Sequence, residues 1–289
     1  MNGFIVSVLR DSYAVRTPDG VVSCTARGIF RRGDRSPATG DAVTLEGNRI
    51  TSIGERSSFL PRPAVANFDT LALVVAAAEP KPSALVIDKL LAVAEEKGVE
   101  PLLIFNKSDL ADVSEWQSIY RAAGFTTVVT DAKTGAGIDE LRSLLHGHFT
   151  VFVGNSGVGK SSLLNCLLPE QTLPTGEISH KLGRGKHTTR VCEIFMPDDE
   201  TKIADTPGFA AVDVAEYVTL YPEDLWQNFR EFAPFTETCR FFPSCTHTKE
   251  TGCGVIAAVE RGEIARSRFD SYRTLYEAVR ENRPWNTKK

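Results

Sequence analysis

The chain has 289 residues, 42% of them hydrophobic and 24% charged, with a formal net charge of −4. This composition excludes a disordered or fibrous chain and a surface coated in basic groups, so any binding to nucleic acid must rest on local patches. The start Met1-Asn2-Gly3-Phe4-Ile5-Val6 lacks the basic region and cleavage site of a signal peptide, and the longest apolar run, Leu71 to Ala78, is too short for a bilayer, so a cytoplasmic protein without a membrane partner is expected. Of the six cysteines, Cys24, Cys166 and Cys192 read as plain buried thiols, while Cys239, Cys245 and Cys253 cluster as metal ligands do.

In chain order, residues 1 to about 60 alternate short β-prone runs (Gly3–Leu9, Ser12–Arg16, Val21–Ala26, Ala42–Leu45, Arg49–Ile53) with turns at Pro18-Asp19-Gly20, Gly33-Asp34 and Glu46-Gly47-Asn48. Close, regular strands without a helical stretch predict a small β-barrel, and an OB-fold fits best. Arg27, Arg31, Arg32 and Arg35 surround Phe30, the composition of a loop that holds phosphates and stacks on bases; a solvated charged loop is the alternative.

Pro61-Arg62-Pro63 is a stiff connection and a natural boundary, so the expected division is 1–60, 61–211 and 212–289. Beyond it strands and helices alternate. Thr70–Ala77 reads as a buried strand, Ser83 caps a helix through Lys97 that Gly98 ends, and Pro101–Phe105 is the next strand. Asp112 with Glu115 makes a capping box for a helix stopping at Gly124; Thr126–Thr130 and Ile138–Leu145 follow as strand and helix. The pattern predicts a doubly wound α/β domain with its nucleotide at the carboxyl ends of the strands.

Asn106-Lys107-Ser108-Asp109 follows a strand, where a ligand loop belongs. A carboxylate at Asp109 can accept from guanine N1–H and the 2-amino group, an edge adenine does not offer. Thr130-Asp131-Ala132-Lys133 could lay backbone N–H groups and Ala132 against the base. Phe149–Val153 then feeds Gly154-Asn155-Ser156-Gly157-Val158-Gly159-Lys160-Ser161-Ser162, a phosphate loop with a strand before it and helical leucines after it. Its glycines let backbone N–H groups curl around phosphate oxygens; Lys160 would reach the β- and γ-phosphates and Ser161 would hold Mg²⁺. Asp205-Thr206-Pro207-Gly208 matches a loop whose aspartate acts on Mg²⁺ through water and whose glycine N–H senses the γ-phosphate.

GTPases of the Ras type run phosphate loop, DxxG, NKxD; here NKxD comes first, so the chain reads as a circular permutation. Its DxxG loop leads straight into the C-terminal region, so loss of the γ-phosphate would pull on whatever follows Gly208. There, Cys239, Cys245, His247 and Cys253 form C-x5-C-x-H-x5-C in a loop-rich stretch after a segment, Glu223–Phe232, that reads as helical. Three thiolates and an imidazole make a closed, structural Zn²⁺ set. The tail from Ala257 to Arg280 reads as helical and carries Arg261, Arg266, Arg268, Arg273 and Arg280 among acids, a solvated face first, with a cover over the zinc module or a contact with RNA as the alternatives.

With NKSD at 106–109, GNSGVGKSS at 154–162, GRGKHTTR at 183–190, DTPGF at 205–209 and the Cys/His cluster, the chain resembles the RsgA family, also called YjeQ or YloQ. The resemblance implies an N-terminal OB domain, a permuted GTPase domain and a C-terminal zinc domain. It implies ribosome-stimulated hydrolysis of GTP to GDP during late assembly of the small ribosomal subunit, with rRNA as a contact and a monomeric enzyme. The family usually has four residues between the first two cysteines; this chain has five. Thr188 or Thr189 should coordinate Mg²⁺ in the GTP state, with Thr189 taken as the ligand. Phe209 stands where Ras-type enzymes carry a water-orienting glutamine, so intrinsic hydrolysis should be slow, and His187 is the candidate for the missing function, beside Lys160 as the phosphate-stabilising group. The alternative is a GTP-dependent checkpoint protein in which hydrolysis only drives release from the ribosome.

Overall fold

The computed structural model describes residues 1–9, 12–31, 36–168, 192–205 and 220–282. Five strands, β1 (Asn2–Val8), β2 (Tyr13–Thr17), β3 (Gly20–Ala26), β4 (Ala42–Glu46) and β5 (Arg49–Ile53), pair in the order β1-β2-β3-β5-β4. A further pairing of β1 with β4 closes them into a barrel, with β3 and β5 parallel and the other pairs antiparallel. This is the OB-like barrel expected. Ile5, Val15, Cys24, Val43, Leu45 and Ile50 fill it. Phe30, on the 3-10 turn Gly28–Arg31, packs partly buried against that core, so its ring is committed to the barrel; Arg27 pairs with Glu46 at 3.2 Å.

Pro61-Arg62-Pro63 is the turn of a small hairpin between β6 (Phe59–Pro61) and β7 (Ala64–Ala66), whose Leu60 and Val65 enter the main core. The α/β sheet follows: β8 (Thr70–Ala76), β9 (Glu100–Asn106), β10 (Thr126–Val129), β11 (Phe149–Val153), β12 (Glu193–Phe195) and β13 (Lys202–Asp205), in the order β10-β9-β8-β11-β13-β12. All neighbours are parallel except β12 with β13. Counted from the phosphate-loop strand β11 and continued from β13 to β8, the order becomes 6-5-4-1-3-2, the sheet of a chain that begins at that loop. One antiparallel register pair, Ser7 with Glu193, joins the barrel to edge strand β12.

Both faces of the sheet are covered, and the period of two in its strands sorts the side chains. Leu71, Leu73, Leu103, Phe105, Val151 and Val153 face the layer of α1 (Ala84–Lys97) and α2 (Ser114–Ala122). Ala72, Val74, Leu102, Ile104 and Phe152 face α3 (Ile138–Leu145) and α4 (Lys160–Leu167). Gly98, at φ 63°, ends α1 as expected. At α2, Asp112 accepts from the Ser114 N–H and hydroxyl at 3.0 and 2.6 Å, so it turns the chain one residue ahead of the helix in place of the Asp112–Glu115 box.

The C-terminal segment departs from two helical expectations. Leu225–Asn228 and Arg230–Phe232 are 3-10 turns, followed by the short α5 (Ala233–Thr236). Phe229 breaks the helix at φ −121°, ψ 82°, which packs its ring 5.3 Å from Phe232 and 5.2 Å from Tyr272. The tail forms two helices, α6 (Gly254–Glu260) and α7 (Arg266–Val279), because Gly262, at φ 77°, stops the first. The N–H groups of Gly262 and Glu263 return to the carbonyls of Val259 and Ala258, at 3.1 and 2.9 Å, a Schellman stop.

Helix α7 is more than a solvated face. Arg268 is 1% exposed and donates to Asp88 of α1 at 2.8 Å and to both oxygens of Glu231 at 2.6 and 3.0 Å. Tyr120 of α2 donates to the same Asp88 oxygen at 2.9 Å. Burial works against the Arg268 charge, but the Asp88 and Glu231 carboxylates outweigh it and push the guanidinium pKa up. Arg230 reaches back likewise to Glu95 and Glu100, at 2.7 and 3.1 Å. One apolar core therefore runs from the sheet through α1 to the cysteine cluster.

Candidate nucleotide site and metal centre

The expected guanine and phosphate loops meet at the carboxyl ends of β8, β9, β10, β11 and β13. Two glycines fix the phosphate loop. A Cβ on Gly154 (φ 150°) would lie 2.4 Å from the Val74 carbonyl oxygen, and one on Gly159 (φ 95°) 2.3 Å from Asn106 Nδ2. The buried Asn106 amide uses the space so left: Nδ2 donates to the Val158 carbonyl at 2.9 Å, and Oδ1 accepts from the Thr130 hydroxyl at 3.2 Å. One side chain thus ties the phosphate loop to both base loops. Lys160 opens α4 and donates to the carbonyls of Gly154 and Asn155. Burial presses its pKa down, and the Asp205 carboxylate works against that. Ser161 and Ser162 are half-buried in the first turn of α4, while Ser156 and Gly157 are exposed on the loop.

The base side is equally built. Lys107 takes a left-handed backbone, φ 62°, and its ammonium donates to the Glu79 carbonyl in the loop between β8 and α1. The Ser108 N–H donates to the Thr130 carbonyl at 3.2 Å. Asp109 pairs with Lys133 at 3.0 Å, placing that carboxylate at the mouth of the base loop. Asp131 holds the loop's shape by accepting from the Lys133 N–H and the Thr134 hydroxyl at 2.9 and 2.8 Å, and the first of these bonds leads in depressing its pKa. Cys166 is half-buried, not buried as its composition suggested, with Sγ 3.4 Å from the Ala132 carbonyl. Sequence reasoning placed Thr130 and Lys133 in the base loop without their bonds to Asn106 and Asp109, and it missed Glu79, for which Glu79-Pro80-Lys81-Pro82, a proline-marked loop after a buried strand, was the available signal. Asp205 ends β13 beside the phosphate loop, but Gly208, Phe209, His187, Thr188 and Thr189 lie outside the described residues.

The second cluster stands apart from the nucleotide loops, beyond the Arg268 network. Cys239, Cys245, His247 and Cys253 are buried, with their ligand atoms within 4.8 Å of one another. Cys239 and Cys253 Sγ are 3.7 Å apart, and His247 Nδ1 lies 3.4 Å from each. Ligand bonds of about 2.0–2.3 Å in a tetrahedron put donor atoms roughly 3.3–3.8 Å apart, so these residues fit a zinc ion. Burial pushes the Cys253 thiol up to about 12 and the Cys245 thiol up as well, so a cation is what would draw off their protons; it pushes His247 down, leaving the neutral imidazole a metal needs. The fifth intervening residue is absorbed in the loop between Cys239 and Cys245, and the N–H of Gly254, the first residue of α6, donates to Cys239 Sγ at 3.2 Å.

Glu250 organises the loop, accepting from the N–H groups of Thr246, Thr248 and Lys249 at 3.0, 2.9 and 3.0 Å and from the Thr246 hydroxyl. Burial alone would raise its pKa; these bonds outweigh it and hold the carboxyl at about 2. A carboxyl depressed in the folded state stabilises above its unfolded pKa of about 4.3 and loses that contribution as pH falls toward the folded value. Discounted for partial exposure, Glu250→Gln should cost about 1–2 kcal/mol at pH 7 and almost nothing near pH 2, measured as the difference in urea stability of the two proteins across that range.

Two family profiles match the chain: one described as RsgA GTPase over residues 53–215, and one described as RsgA N-terminal domain over residues 2–51. The small ribosomal subunit biogenesis GTPase RsgA of Caldanaerobacter subterraneus subsp. tengcongensis is 40% identical over 289 residues, 97% of this chain and 96% of the relative. Its counterpart from Alkaliphilus metalliredigens is 38% identical over 97% of this chain and 98% of its own length. Among solved structures, YjeQ from Thermotoga maritima superposes with a TM-score of 0.80 at 34% identity, covering 98% of this chain and 99% of that one. YloQ, described as a circularly permuted GTPase, gives 0.77 at 28% identity, over 98% and 96%.

Proposed function

The chain belongs to the RsgA family of GTPases and hydrolyses GTP, and from that membership we propose that it docks on the small ribosomal subunit late in that particle's maturation and turns over fastest there. The observation that carries this reading is the Asn106 amide, which links a phosphate loop to two base loops at one end of a permuted sheet. In this reading Asp109 reads guanine N1–H and the 2-amino group. Lys107 buttresses the loop ahead of α1 through the Glu79 carbonyl. Backbone N–H groups of Gly157, Val158, Gly159 and Lys160 face the phosphates, Lys160 offers its ammonium to the β- and γ-oxygens, and Asn155, Ser156 and Ser162 line the loop. Ser161, Thr188 or Thr189, and Asp205 through water would hold Mg²⁺, which neutralises charge on the transferring phosphoryl group when bound. Gly208 senses the γ-phosphate, and His187 orients the attacking water once the ribosome has docked. Cys239, Cys245, His247 and Cys253 hold one structural zinc. The barrel and the cysteine loop face rRNA, and one copy of the chain suffices.

Single-turnover hydrolysis with purified subunits tests the proposal. Small subunits should speed GTP cleavage about 10²-fold or more, and His187→Ala should lose that increment while keeping the basal rate. Equal stimulation by large subunits, or none by small ones, overturns it. Asp109→Asn should weaken GTP about 10²-fold or more, because a carboxamide cannot accept both guanine protons without turning a donor toward them. The same variant should favour xanthosine triphosphate, whose 2-oxo group accepts from that donor, in a nucleotide-competition titration.

A further inference from the structure

The loop between the first two clustered cysteines reads Arg240-Phe241-Phe242-Pro243-Ser244. Phe241 and Phe242 are 47% and 48% exposed, the only exposed Phe, Tyr or Trp side chains among the described residues. They do not sit on a slack tip. The flanking Cys239 and Cys245 side chains are both buried, the Arg240 N–H donates to the Gly252 carbonyl at 2.9 Å, and the Phe242 N–H donates to Cys239 at 3.1 Å. The Ser244 hydroxyl closes on the Phe241 carbonyl at 2.9 Å. The Arg240 guanidinium lies 5.5 Å from the Phe241 ring centroid, so a cation and a π-face are presented together.

The size of this feature decides what it fits. Two half-exposed rings offer roughly 200 Å². A protein partner needs about 800 Å² on each side and anchors itself in a wider apolar patch. Here the adjacent Thr238, Arg240 and Ser244 are exposed polar groups. Two rings with one guanidinium match one or two unpaired bases and a phosphate, since every base has a stackable face and arginine is suited to phosphate oxygens. We propose that Arg240, Phe241 and Phe242 form a stacking platform for unpaired bases of single-stranded RNA. Placing that RNA in the small ribosomal subunit rests on the functional reading above; the chemistry of the platform does not. Recognition is indifferent to base sequence, excludes duplex, and carries a shallow salt dependence of about one counterion.

The test uses the full chain loaded with zinc, a fluorescent octaadenylate, its duplex with octauridylate, and purified small subunits. Phe241→Ala/Phe242→Ala should bind the single strand about tenfold to a hundredfold more weakly, while Phe241→Tyr/Phe242→Tyr stays within about threefold of the parent. The double alanine variant should keep one equivalent of zinc and its basal GTP hydrolysis, because neither ring touches the nucleotide loops. Ultraviolet irradiation of the parent with octaadenylate should leave a nucleotide on the tryptic peptide from Phe241 to Lys249. Unchanged single-strand affinity in the alanine variant overturns the platform. So does a loss confined to small-subunit binding, with octaadenylate affinity unmoved and no cross-link, which would assign the tip to a protein partner. Weakened octaadenylate binding in a protein that fails to sediment with small subunits supports the platform and refutes the ribosomal reading.

Discussion

Lys160→Ala should lower GTP turnover by about 10³-fold, basal and stimulated alike, while leaving the melting temperature nearly unchanged. The ammonium is held over the loop by the Gly154 and Asn155 carbonyls, and burial weakens its hold on its proton. An approaching triphosphate replaces two neutral acceptors with charged oxygens, so the interaction grows as charge moves toward the leaving group. Alanine removes that gain and leaves two carbonyls that water can reach. Lys160→Arg should not rescue, because a planar fork cannot take the place of a point charge in a loop closed this tightly. A variant retaining a tenth of the parental single-turnover rate would remove Lys160 from the chemistry.

The second large effect is on stability. Arg268→Met should destabilise the protein by about 3–5 kcal/mol, because it leaves Asp88 and Glu231 facing each other in the interior without their cation. The companion triple variant, Asp88→Leu with Glu231→Leu and Arg268→Met, should regain most of the loss, since a well-packed apolar trio carries no desolvation penalty. Urea midpoints with zinc present would measure both. If the single and triple variants fall equally, what matters is the shape of the Arg268 side chain and not its charge.

The contrast between these two residues marks what could be read from the sequence. Lys160 is announced by its neighbours: the glycines, the serine, the strand before and the leucines after are all within fifteen residues, and each constrains the next. The same holds for NKSD, the barrel strands and the spacing of Cys239, Cys245, His247 and Cys253. Arg268 has no such local signature. Its partners lie 37 and 180 positions away, and within its own helix it looks like one more arginine among acids. The bend at Phe229 is hidden for the same reason, since its ring is placed by Tyr272. The stop at Gly262 was local and readable, and a helix drawn through it ignored the left-handed position that glycine supplies. Asn106 falls between these cases: its motif was visible, but the grip of its amide on Val158 and Thr130 depends on two loops meeting in space.

Helix α1 is covered by the sheet on one side and by α7 on the other, joined through Asp88 and Arg268. In the language of hydrogen exchange, its amides belong to the last unit to open, and the boundaries of that unit ignore the divisions drawn along the chain. Removing the C-terminal segment would expose the inner wall of the nucleotide domain instead of trimming an appendage. The smallest piece of this protein able to fold as it does here includes both the Asn106–Asp109 loop and the loop that carries the exposed rings.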